Sequence, residues 1–476
     1  MGNGFTRGRF LAAALVLGVG LTLGAACTRT LGKAGARSAL RAKPLWKAGV
    51  AKIKITPAKS VWMTGYGART KPSEGILQEL YAKALALEDQ KGNRAVLVTS
   101  DLLGFSAEVA RNISGRVEKQ YGLSRDRLML TSSHTHGGPA LHSSLRFLYG
   151  PRTTPEQWRD VGDYTRELES KVIEVVGAAL QDLQPARLSF GHGKANFAIN
   201  RRQKTQKGYS IGLNPGGPVD HDVPVLRVDS EQGSLRGVVF GYACHNTTLG
   251  GNIYQFHGDY AGFAQEWLER EHPSAVAFFV EGCAGDANPN PRGTVKLARQ
   301  HGETLGAGVD KAMGSPLKPL RGPLRSAFEV VPLPFATPPS RDDLQAELQN
   351  KDIFLQWHAK EMLKILDRDG RLPTEYPYPL QVWQFGRDLT LIAMAGEVVV
   401  DYALRLKKEL GEDKVWVAGY SNDVFAYIPS RRVLEEGGYE GGGAMIYYVQ
   451  PGPFAPSVEE TIVKKAHELV KRVRAK

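Results

Sequence analysis

Residues 127–139 read RLMLTSSHTHGGP. The first six residues predict a strand buried on both faces, as in a sheet with layers above and below it. Ser133 to Pro139 follow directly. In extended chain, residues two apart point to the same side, so His134 and His136 face one cavity. Gly137 and Gly138 let the chain turn sharply and leave room for a ligand. In open α/β sheets, ligands bind beyond the carboxyl ends of strands. One short stretch therefore predicts a sheet, its orientation and a site. The competing reading is two histidines satisfied by loop hydrogen bonds.

The same alternation extends outward. Residues 94–100 (RAVLVTS), 235–243, 275–280, 389–395 and 415–420 are further buried strands. Helical periodicity covers 106–121, with Ser106 as N-cap, and also 164–183, 260–270 and 398–410. Residues 322–334 read as one or two strands. Residues 340–369 read as one long charged helix, opened by a Ser340/Asp343 capping box and closed by Gly370. A capped amphipathic helix ends the chain at 457–475. This alternation predicts an α/β core with a site at the carboxyl ends of strands; the fold class expected is a large mixed-sheet sandwich with flanking helices. No repeat of 20–50 residues is visible, which excludes solenoids and propellers.

The chain has 476 residues, 42% of them hydrophobic and 23% charged, which excludes disorder and a multi-span membrane protein. Three cysteines exclude a disulfide scaffold. The formal charge is +12, but the basic residues are dispersed and no aromatic stripe accompanies them. The charge therefore predicts a cationic surface and no nucleic-acid partner. Residues 1–26 read as an export signal: Arg7 and Arg9, an apolar run from Phe10 to Leu23, then small residues. Leu23 to Cys27 resembles a bacterial lipoprotein cleavage box, with Gly24 where a branched apolar residue is usual. Cys27 would then anchor the chain to a membrane surface. Simple secretion and an uncleaved anchor are the other readings. The chain is expected to be exported, in the cell envelope or secreted. Cleavage removes two arginines and no acid, leaving +10. Residues 27–45 are small, basic and aperiodic, as in a tether, and 46–476 form the expected catalytic domain. Cys244 and Cys283 remain, as a pair or as buried thiols.

Other strand ends carry chemistry too. Residues 235–243 run into Cys244 and His245, 275–280 into Glu281 and Asp286, and 389–395 into Gly396 and Glu397. Imidazoles plus one carboxylate are the ligand set of a catalytic zinc site, which keeps a position for water. Alone, His245 or Glu397 reads as structural; their shared placement at strand ends is the signal. Asp259 and Asp286 read as groups that order loops, and His257, His301 and His358 as structural.

Ser133-His134-Thr135-His136-Gly137-Gly138-Pro139 resembles the S-H-T-H-S-G-P segment of the neutral/alkaline non-lysosomal ceramidase family. Further segments follow in that family's order. They are Asn200-Arg201-Arg202, Leu213-Asn214-Pro215, His245, Gly258-Asp259-Tyr260, Gly285 to Asn290, Gly396-Glu397, Gly419 to Asn422, Tyr427, and Tyr439-Glu440-Gly441. The resemblance covers about residues 46–445. It implies an amidase with one Zn2+ per chain, acting on the N-acyl bond of ceramide or a related lipid-like amide. By motif, His134, His245, Glu397 and Tyr427 would be the metal ligands. Likewise His136, Arg201 and Tyr439 would line the cleft and bind or polarise the amide carbonyl. Asn288 stands where the family carries a serine implicated in catalysis; asparagine can donate and accept hydrogen bonds but is no nucleophile. The C-terminal β-sandwich domain of better-known members is not expected here. Two other functions fit the same residues: a metallo-esterase or phosphoesterase, and a non-catalytic envelope lipoprotein that binds lipid or glycan.

Overall fold

The computed structural model describes residues 46–475. The expected signal, the tether and Cys27 lie outside the described residues. No helix among the described residues is long and apolar enough to cross a membrane.

Strands that are apolar on both faces need cover on both faces, and two packed sheets provide half of it. The larger sheet runs in the order Val276–Glu281, Leu235–Tyr242, Asp222–Ser230, Gln184–Lys194, Trp46–Lys54, Tyr81–Asp89, Arg94–Ser100 and Leu128–Ser132. A two-residue strand, Lys318–Pro319, pairs with Gln184–Lys194. The neighbours are antiparallel except for the outermost pair at each end, which is parallel. A parallel pair needs a crossover. Helix Ala107–Tyr121 supplies it at one end and Asp259–Glu271 at the other. The second sheet orders Leu324–Pro334, Glu375–Phe385, Leu389–Met394 and Val415–Ala418, with its last pair parallel across helix Val400–Leu410.

One buried cluster joins the two sheets. Trp46, Leu97, Met129 and Phe278 of the first meet Trp383, Leu391 and Trp416 of the second. Each such side chain contributes about 1.5–3 kcal/mol by leaving water. Helices cover the outer faces. Ala107–Tyr121 and Pro155–Gln181 place Val109, Ile113, Leu168 and Val172 against Ala84, Val96 and Val98. Helices Asp259–Glu271 and Val295–Met313 cover Val238 and Phe240. Over the second sheet, Val400–Leu410 and Val458–Ala475 bury Tyr402, Leu406, Ile462 and Leu469 against Leu380 and Ile392. The result is helix, sheet, sheet, helix, the mixed-sheet sandwich expected.

Two details differ from the sequence reading. The helix expected over 340–369 is two helices, Arg341–Glu347 and Ile353–Asp369. The break comes from side chains that compete for backbone groups: Asn350 Oδ1 accepts the Asp352 N–H, and Asp352 Oδ1 accepts the Phe354 N–H as a new N-cap. The helix expected from 164 starts at Pro155, behind a capping box of Thr154 and Gln157. Residues 322–334 hold one strand, Leu324–Pro334. Cys244 and Cys283 are both buried free thiols.

Candidate metal centre

The strand Leu128–Ser132 stops before the histidines, and His134 adopts φ 56°. That left-handed conformation costs a non-glycine residue energy and points to a functional constraint. His134 and His136 do come together, but through this turn and not through extended-chain alternation. Their rings meet edge to face, with Nε2 of each 3.3 Å from the other.

Loops from four strand ends converge there. His245 follows Leu235–Tyr242, Glu397 follows Leu389–Met394, and Tyr427 follows Val415–Ala418. Backbone bonds lock the loops together: His245 N–H to Ala287 O at 3.0 Å, Gly285 N–H to Val398 O at 2.8 Å, and Glu397 N–H to Ala426 O at 2.9 Å. Asn246 ties the Ser133 carbonyl to the Glu281 carboxyl, which burial raises well above its usual range. Gly285 is a tight crossing, where a Cβ would lie 2.6 Å from Glu397 O. Gly285→Ala is expected to lower folding stability by about 1–3 kcal/mol through overpacking. Urea unfolding checks this; an unchanged midpoint would show that the segment 397–398 yields freely.

The ligand atoms follow from hydrogen bonding. His134 Nδ1 lies 2.7 Å from Leu103 O, and His245 Nδ1 lies 2.7 Å from Ala284 O. A carbonyl only accepts, so each Nδ1 carries the proton and each Nε2 presents a lone pair. Both Nε2 atoms point at Glu397 Oε2, at 3.1 and 2.9 Å. His134, His136 and His245 each offer a ligand nitrogen within 4.8 Å of the others. Two imidazole lone pairs and a carboxylate oxygen thus converge with no proton between them, an arrangement that a cation resolves. All three of His134, His245 and Glu397 are buried. Burial, and then Arg201, brings His245 down to about 4, the neutral form a metal needs.

Tyr427 stacks on His245 and places its hydroxyl 3.4 Å from His245 Nε2. Burial raises its phenol well above the usual value, which Arg201 opposes. Arg201 sits on strand Ala198–Thr205 of a small three-stranded sheet. Its guanidinium donates to Tyr427 Oη at 3.0 Å, Asn288 Oδ1 at 3.3 Å and Glu440 Oε1 at 2.8 Å. Asn288 lies on the neighbouring strand Ala287–Pro289, opposite Ile199, and Thr247 Oγ1 lies 3.4 Å from its Oδ1. Tyr439 flanks Tyr427 and the Arg201 guanidinium, and burial raises its phenol above the usual value. The structure therefore brings His134, His136, Arg201, His245, Asn288, Glu397, Tyr427 and Tyr439 into one connected cluster.

Asp259 accepts from the backbone N–H groups of Thr248, Leu249 and Tyr260. Asp286 accepts from Val400 N–H and Asn200 Nδ2. His301 and His358 bond backbone carbonyls. His257 is different: it is buried with both ring nitrogens unpartnered. Sequence reasoning missed Tyr448, whose hydroxyl donates to Glu397 Oε1. Nothing marks it among neighbouring tyrosines. It also gave Glu440 no role, although that carboxylate holds both Arg201 and Arg202.

Fold and cluster together define an α/β sandwich protein whose strand-end loops enclose a buried group of side chains able to hold a metal ion. The family model "Neutral/alkaline non-lysosomal ceramidase, N-terminal" matches residues 46–305, more than half of the chain. The chain belongs to this family. It is 26% identical over 261 residues to neutral ceramidase A of Dictyostelium discoideum, a match spanning 50% of this chain and 35% of that protein. The chain thus aligns with about a third of the length of that relative. It is 24% identical to the neutral ceramidase of Mycobacterium tuberculosis, over 80% of this chain and 71% of the other. The solved neutral ceramidase of Pseudomonas aeruginosa shares the fold, with a TM-score of 0.70 at 20% identity over 91% of this chain and 75% of that one.

Proposed function

We propose that this protein is a zinc-dependent amide hydrolase that cleaves the N-acyl bond of ceramide or a related lipid-like amide. The observation that carries the reading is the convergence of His134 Nε2, His245 Nε2 and Glu397 Oε2 as three acceptors. Family membership supports the amide bond as target. Imidazole and carboxylate donors suit zinc, and His134, His245 and Glu397 would hold it with Tyr427 as fourth ligand. A bound zinc supplies a water nucleophile near neutral pH and polarises the amide carbonyl.

The chain's own groups do the rest. Arg201 holds the Tyr427 hydroxyl and presents fixed positive charge where a carbonyl oxygen becomes negative. Tyr439 keeps its proton and is a further donor beside it. His136 stands against His134, Nε2 to Nε2, and would line the cleft beside the reacting amide. Asn288 accepts from Arg201 and Thr247, which orients the guanidinium. It cannot form a covalent acyl intermediate, so the attack falls to water. Arg7, Arg9, the apolar run and Cys27 support an exported, envelope-anchored protein.

Metal analysis and a substrate panel test the reading. About one zinc per chain is expected, with turnover of N-acyl sphingosines or other N-acyl lipids that a chelator removes and zinc restores. A gently purified protein without transition metal would overturn it. Faster cleavage of ester or phosphate analogues than of amides would move the chemistry to a metallo-esterase or phosphoesterase.

A further inference from the structure

A second feature lies at the other end of the second sheet. The strand Leu389–Met394 leads at its carboxyl end to Glu397. At its amino end, about 20 Å away at roughly 3.3 Å per residue, opens a cavity of about 860 Å³. Arg321, Arg325, Arg387, Lys414 and Arg474 line it, with Asp388 as its only acid among the described residues. The carboxylate of Asp388 accepts the Arg321 backbone N–H at 3.1 Å. It therefore fixes the Gly386–Leu389 turn against the neighbouring chain and pairs with none of the five cations.

None of the basic groups is compensated, and two of them are held in place. Arg325 Nη1 donates to Val473 O at 3.1 Å, and Arg474 Nη2 donates to Thr390 Oγ1 at 2.9 Å. These acceptors are neutral, so they hold the guanidiniums in position without cancelling charge. Burial lowers Arg474 from its usual value, and no carboxylate offsets it. Arg387 and Lys414 have no side-chain hydrogen bond or ion pair among the described residues. Elsewhere the arginines of this chain find carboxylates readily, as Arg405, Arg431 and Arg432 do. Like charges gathered without counter-charge repel one another, and an anion in their midst relieves that cost. Guanidiniums match the oxygens of phosphate in pairs of parallel hydrogen bonds. The volume is that of a small-molecule site.

We infer that the cavity walled by Arg321, Arg325, Arg387, Lys414 and Arg474 is a binding site for a phosphate-type oxyanion, separate from the metal centre. A soluble phosphorylated compound and an anionic phospholipid headgroup carry the same chemistry. The site does not depend on amide hydrolysis.

The test uses the full metal-loaded chain and the double variant Arg387→Gln/Lys414→Gln, which removes two charges that bond nothing in the fold. Lys91→Gln/Lys207→Gln, at two exposed lysines elsewhere, is the charge-matched control. Pyrophosphate is titrated by calorimetry. Phosphatidylcholine vesicles with and without phosphatidic acid are tested by co-sedimentation. The cavity variant is expected to lose about tenfold or more in affinity, the size of one charge-assisted bond, with unchanged melting and unchanged binding in the control. Loss with pyrophosphate identifies a soluble oxyanion; loss with phosphatidic acid vesicles alone identifies a headgroup. Equal binding by wild type and cavity variant for both probes overturns the site. Equal weakening by the control overturns it as well, because the attraction then belongs to the whole surface.

Discussion

Glu397→Ala is expected to leave a folded protein without metal and without activity. Its Oε2 is where both imidazole Nε2 atoms point, at 2.9 and 3.1 Å, and its Oε1 accepts from Tyr448. Removing it takes away the only charge among the proposed protein donors other than a Tyr427 phenolate. The loss in metal affinity is expected to exceed the roughly 10–100-fold that an outer partner costs. Glu397→Gln keeps the shape but offers one neutral oxygen, so it falls between. Metal content by elemental analysis, beside circular dichroism, decides the matter. A folded Glu397→Ala protein that still holds stoichiometric zinc would remove Glu397 from the ligand set.

Arg201→Gln is expected to keep the metal and lose the rate. The guanidinium reaches three acceptors at once, Tyr427 Oη, Asn288 Oδ1 and Glu440 Oε1, from a buried position. Loss of such a fixed donor costs roughly 10²–10³-fold in kcat, with a smaller change in KM. Arg201→Lys recovers little, because a single ammonium cannot span that fork. The fold survives, since Arg202 still pairs with Glu440 at 2.6 Å. Steady-state kinetics with zinc analysis separate this from the Glu397 result. A variant that retains wild-type kcat would show that Arg201 is structural only.

Several parts of the sandwich were legible as local pattern. Residues 94–100 are continuously apolar because the strand Arg94–Ser100 is covered by a helix layer on one face and by the second sheet on the other. The start of the helix Ala107–Tyr121 was legible in Ser106, whose Oγ accepts the Val109 N–H. Other elements hid their period. Gln184–Lys194 and Asp222–Ser230 carry prolines, glycines and charges, and they become strands only because neighbours on both sides pair with them. The helix break at 348–352 was hidden because charged residues at helical spacing continue across it.

Residue type narrowed the side chains that could bind a metal, and their shared position after apolar runs pointed to a gathering at strand ends. His134, His245 and Glu397 were readable in that way, because a parallel strand sends its carboxyl end toward the same edge as its partner. Tertiary structure alone decided the rest. It set the tautomer of each histidine through a distant carbonyl, Leu103 O or Ala284 O. It brought Arg201, 226 residues away in sequence, to Tyr427. It also placed Tyr448 on Glu397. Hydrogen bonds between loops have no period along the chain, so nothing in local spacing announces them.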